Sequence, residues 1–119
     1  MQLYFAHYQR VVVLDSEGKL VREMGNATAA SGLDYHLKKN LLFFTDLNAR
    51  KIYQMPLTAT GTTNSPLDIT VPGAWSPISV AVDWIGNILY VVDGLGQKID
   101  VFDFEGVYHA IVLSSNLTR

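Results

Sequence analysis

The pattern Leu33-Asp34-Tyr35, Leu42-Phe43-Phe44-Thr45-Asp46, Lys51-Ile52 returns as Val82-Asp83-Trp84, Leu89-Tyr90-Val91-Val92-Asp93, Lys98-Ile99, and this repetition constrains the fold more than any other feature. Asp46 and Asp93 lie 47 residues apart, a period in the range of radially arranged four-stranded β-blades. A shorter third copy occupies the N-terminus. There Leu3-Tyr4-Phe5-Ala6 leads to Val13-Leu14-Asp15-Ser16-Glu17-Gly18, as Leu89-Tyr90-Val91-Val92 leads to Val101-Phe102-Asp103-Phe104-Glu105-Gly106. A blade cannot cover both of its faces alone, so such architectures need about three units or more, with caps or ring closure. Two full copies and one partial copy imply a piece of a longer protein.

Short β-prone runs alternate with turn signals throughout, and no stretch sustains a helical period. The runs predict strands at Gln2–His7, Val11–Asp15 and Leu20–Met24, then Ala29–Tyr35, Leu41–Asp46, Lys51–Pro56 and Leu67–Val71, then Ile78–Asp83, Ile88–Asp93, Ile99–Phe104 and His109–Leu113. Blade-like units thus fall at about 1–28, 29–74 and 75–119, with three, four and four strands. Ser16-Glu17-Gly18-Lys19 is a tight turn in which Gly18 is free to take positive φ. Ile85-Gly86-Asn87 turns a hairpin, His36-Leu37-Lys38-Lys39-Asn40 reads as an exposed polar turn, and Thr58–Asn64 is a Thr/Gly loop. The prolines of Pro72-Gly73-Ala74-Trp75-Ser76-Pro77 exclude a continuous strand and mark the crossing between units.

Inner strands of a blade are covered on both faces, so they can be apolar almost throughout, as in Leu41-Leu42-Phe43-Phe44. Neighbouring large residues then point in opposite directions, Phe43 to one adjacent blade and Phe44 to the other. Asp34, Asp46, Asp83 and Asp93 need a different account, because strands are depleted in Asp and a buried carboxylate must be hydrogen-bonded. Each is expected at a strand end, accepting bonds from turn N–H groups or from the next blade. Catalytic or calcium-binding use is the weaker alternative, since residues recurring once per unit serve the repeat.

Composition removes several function classes. Apolar residues are 49% of the chain, charged residues 17%, and the net charge is −2, a balance that gives no footprint for nucleic acid or an anionic membrane. With no cysteine, disulfides, thiol catalysis and Cys-ligated metals are excluded within these 119 residues. His7, His36 and His109 have no zinc-site spacing, and no cofactor is expected. Gly94-Leu95-Gly96 is a lone Gly-x-Gly better explained by a hairpin bend than by a phosphate cradle. Asn26-Ala27-Thr28 and Asn116-Leu117-Thr118 make Asn26 and Asn116 candidate N-glycosylation sites. Neither an export signal nor a membrane span is expected within these 119 residues.

Phe43-Phe44-Thr45-Asp46 and Tyr90-Val91-Val92-Asp93 resemble the Tyr-Trp-Thr-Asp motif of the low-density lipoprotein receptor family, and Ala81-Val82-Asp83-Trp84-Ile85-Gly86-Asn87 before Leu89-Tyr90 is similar to that family's inner hairpin. The likeness covers nearly the whole chain. Three departures stand out: Phe for Tyr and Trp in one copy, Val-Val for Trp-Thr in the other, and Ala6-His7 where Thr-Asp falls. The repeat-motif residues are thus Asp34, Phe43, Phe44, Thr45, Asp46, Asp83, Trp84, Tyr90 and Asp93. The resemblance implies an all-β fold, part of a six-bladed propeller with YWTD-type (LDL-receptor class B) repeats, about two and two-thirds blades being present. It further implies a non-catalytic recognition module in the ectodomain of an endocytic or signalling receptor, on the cell surface and in endosomes. Partners would be protein ligands or neighbouring EGF-like modules and ligand-binding repeats, with membrane attachment only through a parent receptor's transmembrane segment.

Within that frame, Trp75 on its loop is the candidate partner contact, while Trp84 is expected to pack between blades. His36, on an exposed turn beside Asp34, is the candidate switch for ligand release in acidified endosomes. The rival reading is an enzymatic propeller, such as a calcium-dependent lactonase-like hydrolase. An open ring would leave an apolar face exposed at each end, so the isolated chain is expected to be poorly soluble or partly molten.

Overall fold

A computed structural model describes residues 2–59, 61, 64–67 and 75–113. Among them every regular element is a strand: β1 (Gln2–His7), β2 (Arg10–Asp15), β3 (Leu20–Met24), β4 (Ala30–His36), β5 (Leu41–Asp46), β6 (Lys51–Pro56), β7 (Ser65–Pro66), β8 (Pro77–Asp83), β9 (Ile88–Asp93), β10 (Lys98–Asp103) and β11 (Tyr108–Leu113). They form three antiparallel meanders, β1-β2-β3, β4-β5-β6-β7 and β8-β9-β10-β11. The fold class read from the repeat is therefore present, as three consecutive sheets of a partial propeller.

Alternation of side chains decides how the sheets stack. Phe44 joins Val11, Val13 and Met24 of the first sheet, along with Leu42 and Met55 of its own, in one core. Phe43, its chain neighbour, points through the other face into a second core with Val80, Leu89, Val91 and Phe102 of the third sheet. The middle sheet is consequently buried on both sides. Phe43 lies 4.9 Å from Phe104, and Phe44 stacks on Tyr53 at 5.2 Å. Each fully buried side chain of this size contributes roughly 1.5–3 kcal/mol by leaving water.

The 47-residue period extends to the backbone. Asn40 and Asn87 have φ of 55° and 56°, and Arg50 and Gln97 have φ of 58° and 52°, at matching places in the second and third sheets. The left-handed position of the β8–β9 turn is thus filled by Asn87 rather than by the adjacent Gly86. This fits asparagine, whose short polar side chain tolerates that conformation. Gly18 and Gly106 take φ of 82° and 90° in the two remaining matched turns. In these, Asp15 accepts from the N–H groups of Glu17 and Lys19, and Asp103 from those of Glu105 and Val107. The first sheet accordingly matches the outer three strands of a blade, without the innermost one.

One local expectation shifts in its bounds. Among the described residues, the fourth strand of the middle unit pairs at Ser65 and Pro66, with Leu67 continuing the contact by donating its N–H to the Ile52 carbonyl. Pro66 lacks the N–H for a regular ladder, and the remainder of the expected strand, 68–71, lies outside the described residues. Asn116 lies outside them as well.

Candidate functional site

The recurring carboxylates are consumed by the backbone. Asp46 is fully buried and accepts bonds from the N–H groups of Thr28 (2.8 Å), Ala29 (3.1 Å) and Ala49 (3.0 Å) and from the Thr28 hydroxyl (2.7 Å). Asp93 accepts from the N–H groups of Ser76 (2.8 Å), Leu95 (3.1 Å) and Gly96 (3.1 Å). Ala29 and Ser76 are one period apart, as are Ala49 and Gly96, so the two carboxylates sit in equivalent surroundings. Each ties the strand-entry segment of its blade to the turn after its second strand. Burial alone would raise the Asp46 carboxyl, but the Ala49 and Thr28 bonds outweigh it and hold the group below the usual carboxylate range. Asp93 is lowered in the same way: burial opposes, while Ser76, Gly96 and Lys98 prevail.

Asp34 and Asp83 are not equivalent, although residue type pairs them. Asp34 lies opposite Phe43 within the ladder, and its carboxylate reaches into the third sheet to accept from the Val82 N–H at 2.8 Å. Asp83 closes its own turn, accepting from the N–H groups of Ile85 (3.0 Å) and Gly86 (3.1 Å). One period before Asp83 stands His36. Its Nδ1 accepts from the Lys39 N–H at 3.2 Å, the bond matching that from Gly86 to Asp83. With Nδ1 occupied as an acceptor, the proton resides on Nε2, which donates to the Trp84 carbonyl at 3.0 Å. The ring is edge-on to Phe104 and only 4% exposed. His36 is therefore a buried latch between two sheets, in contrast to the exposed turn residue expected from its polar neighbours; Leu37, Lys38, Lys39 and Asn40 alone are exposed.

The tryptophans also exchange places relative to expectation. Trp75 leans on Phe102 with ring centroids 6.0 Å apart and packs against the second core. Trp84 sits in the first position of the β8–β9 turn and is 62% exposed, with Ile85 beside it at 79%. A residue following the Asp that ends a strand and starts a turn points to solvent, the signal that residue-type matching overlooked. Trp84, Tyr35, His36, Leu37 and Lys38 line a pocket of about 300 Å³ on this rim.

A second polar cluster has no sequence-level forecast. Lys98 is almost buried, its Nζ 3.0 Å from Asp93 Oδ2 and 2.6 Å from the buried Asp100 Oδ2. Burial lowers the Lys98 ammonium, and the bonds to Asp100 and Asp93 raise it further than that, so it remains charged. Asp100 replaces Tyr53 of the middle blade at this position, one period earlier. Among the described residues, no group of three or more His, Cys, Asp or Glu is placed to hold a metal ion.

No family model matches the chain. Among curated proteins, low-density lipoprotein receptor-related protein 5 of Mus musculus is 28% identical over 123 residues, and that of Homo sapiens 25% over 120 residues. Each alignment covers 98% of this chain, which spans only 7% of the length of either relative. Among solved structures, a chain of a nidogen/laminin complex superposes with a TM-score of 0.78 at 17% identity, over 96% of this chain and 44% of that one. A Kuenenia stuttgartiensis hydrazine synthase chain gives 0.73 at 15% identity over 96% and 33%. A candidate 6-phosphogluconolactonase from Bacteroides uniformis gives 0.68 at 14% over 98% and 40%. Three stacked meanders locked by one buried carboxylate per full blade define a β-propeller segment. Its repeats are similar in sequence to a segment of low-density lipoprotein receptor-related protein 5, and its sheets superpose on those of the nidogen/laminin chain.

Proposed function

We propose that this chain is a non-catalytic recognition module, part of the extracellular propeller of a lipoprotein-receptor-like endocytic or signalling receptor. Its partners are protein ligands or neighbouring receptor modules. The observation that carries the reading is the rim built around Trp84 and Ile85, where large apolar side chains stand in solvent beside a pocket although the sheets beneath them are closely packed. Aromatic side chains so placed are the usual anchors of protein interfaces. The recurring acids support the same reading, because Asp34, Asp46, Asp83 and Asp93 are engaged by backbone N–H groups and have no free geometry for acid-base work. This role of partner contact belongs to Trp84 rather than Trp75. Asn26, exposed in the segment between the first two sheets, is the proposed glycan acceptor.

His36 gives the rim its proposed sensitivity to acid. A second proton on Nδ1 would face the Lys39 N–H, so protonation turns that strand-end bond into a repulsive contact and loosens the segment that holds Trp84. Lys38 and Lys39 on the same turn add positive charge, whereas the nearby Asp34 and Asp83 carboxylates are directed at backbone N–H groups.

The test is binding of the chain to a panel of secreted and extracellular proteins at pH 7.4 and pH 5.5, alongside Trp84→Ala and His36→Gln variants. Loss of an anchor aromatic costs about 2 kcal/mol or more, so Trp84→Ala should weaken a genuine partner by roughly 30-fold. Partners whose affinity ignores Trp84 would contradict the rim as the site, and equal pH dependence in His36→Gln would remove the latch. Calcium-dependent lactone or ester turnover by the purified chain would overturn the non-catalytic reading.

A further inference from the structure

We propose that Asn26 accepts its glycan only before the first two sheets close on each other, because closure captures the rest of the acceptor triplet Asn26-Ala27-Thr28. The inference deepens the reading of Asn26 as a glycan acceptor and rests on it. Transfer joins Asn26 Nδ2 to the C1 carbon of an oligosaccharide carried on a lipid diphosphate. The C1–O bond to the diphosphate breaks, the lipid diphosphate leaves, and Nδ2 gives up one proton. The hydroxyl at the third position of the triplet is part of what the transferase recognises, so Thr28 has to be presented free, on a stretch of backbone that can enter the enzyme.

The folded chain meets neither condition. Thr28 Oγ1 donates to Asp46 Oδ1 at 2.7 Å and the Thr28 N–H to Asp46 Oδ2 at 2.8 Å, so hydroxyl and N–H are both spent on a buried carboxylate. The flanking backbone is fastened as completely. Gly25 donates its N–H to the Gly61 carbonyl, Asn26 to Asn64 Oδ1, Ala27 to the Gln9 carbonyl, Ala29 to Asp46 Oδ1 and Ala30 to the Tyr8 carbonyl, and the Ala27 side chain is buried in the core shared by the first two sheets. The segment cannot straighten into an enzyme without opening the lock at Asp46. Nor does the repeat require a hydroxyl here. One period after Thr28 stands Trp75, and the equivalent carboxylate, Asp93, is held by N–H groups and Lys98. Thr28 thus serves the triplet before folding and the lock after it.

The attached glycan is compatible with the fold, although its attachment is not. Asn26 is exposed, and its main-chain N–H, not its side-chain amide, makes the bond to Asn64. The segment meets Tyr8 and Gln9 in the β1–β2 turn and Asp46 at the start of the β5–β6 turn, whereas Trp84 lies in the β8–β9 turn. Successive hairpin turns of a meander lie at opposite ends of its sheet, so a glycan on Asn26 leaves the Trp84 rim uncovered. Occupancy at Asn26 therefore records whether transfer outran closure of the first two sheets.

Glycosylation by a single-subunit oligosaccharyltransferase with a lipid-linked oligosaccharide, followed by mass spectrometry, tests this on purified chains carrying Asn116→Gln, which leaves Asn26-Ala27-Thr28 as the one acceptor triplet. A synthetic peptide of residues 20–34 is the unfolded reference. The folded chain should react roughly tenfold or more slowly than the peptide, since only locally opened molecules present the triplet. Asp46→Asn should recover much of that difference, whereas Asp93→Asn, which removes the equivalent lock from the third sheet, should stay as slow as the parent; circular dichroism shows whether each is folded. Asn64→Ala, which frees only the Asn26 N–H, gives a milder acceleration and keeps the test in force if Asp46→Asn does not fold. Equal rates for peptide and folded chain, equal acceleration by Asp46→Asn and Asp93→Asn, or no acceleration by either Asp46→Asn or Asn64→Ala would overturn the gate. An unreactive peptide would remove Asn26 as an acceptor altogether, a result distinct from failure of the gate, and none of these outcomes bears on Trp84.

Discussion

Asp46 stabilises the fold as a buried anion whose partners are almost all main-chain donors, and the consequences can be measured one atom at a time. Thr28→Ala removes a single hydroxyl bond to this carboxylate, a loss of about 2 kcal/mol for a hydrogen bond to a charged group. Asp46→Ala leaves the Thr28, Ala29 and Ala49 donors without a protein acceptor and should cost at least about 3 kcal/mol; urea denaturation of the two variants checks both values and their order. Acid adds a second test. Asp46 and Asp93 have folded carboxyls below the unfolded value of about 4, so the folded state binds fewer protons than the unfolded state in this range. Their stabilisation is complete above that value and disappears as pH falls through the lower folded values. Melting temperature should therefore change little from pH 7 to 5 on their account and fall below pH 4, with a smaller fall in Asp46→Asn.

At the scale of strands and turns, much was legible because β-branched and aromatic runs are punctuated by turn residues at regular intervals. Leu41–Asp46, Lys51–Pro56 and Ile88–Asp93 are strands with the expected bounds, and Phe43 and Phe44 divide between two cores as alternation requires. What escaped was register. Matching by residue type sets Asp34 against Asp83, 49 residues on, while the ladders repeat at 47 and place His36 where the later blade has Asp83. A histidine that accepts a turn N–H is invisible to a search for carboxylates. Partial burial of Trp75 followed from Phe102, distant in sequence, which local composition does not encode. Close backbone approach was equally hidden: a Cβ on Gly32 would lie 2.9 Å from Ser79 Cα and 3.1 Å from the Ile78 carbonyl oxygen. Gly32→Ala must push β4 and β8 apart, so it should destabilise the chain by about 1–3 kcal/mol and raise hydrogen exchange at the Val82 N–H, which Asp34 holds across the same gap.

For the molecule as a whole, the second and third sheets are placed by the same two devices, an aromatic or aliphatic pair that wedges apart neighbouring sheets and a buried carboxylate that locks strand entry to turn, whereas the first sheet has only the pair. The third sheet adds Lys98 between Asp93 and Asp100 at the β9–β10 end, and the junction between the second and third sheets adds His36 at the opposite end, where the rim pocket is built. Function on this account belongs to the asymmetric rim, while the repeated residues supply the frame. The most direct measurement is amide hydrogen exchange by nuclear magnetic resonance at Ala29, Ala49, Ser76 and Gly96, in the wild type and in Asp46→Asn and Asp93→Asn. Slow exchange at all four is predicted, with Asp46→Asn releasing Ala29 and Ala49 and Asp93→Asn releasing Ser76 and Gly96. Exchange at the free-peptide rate in the wild type, or protection that ignores the substitutions, would contradict the shared carboxylate lock.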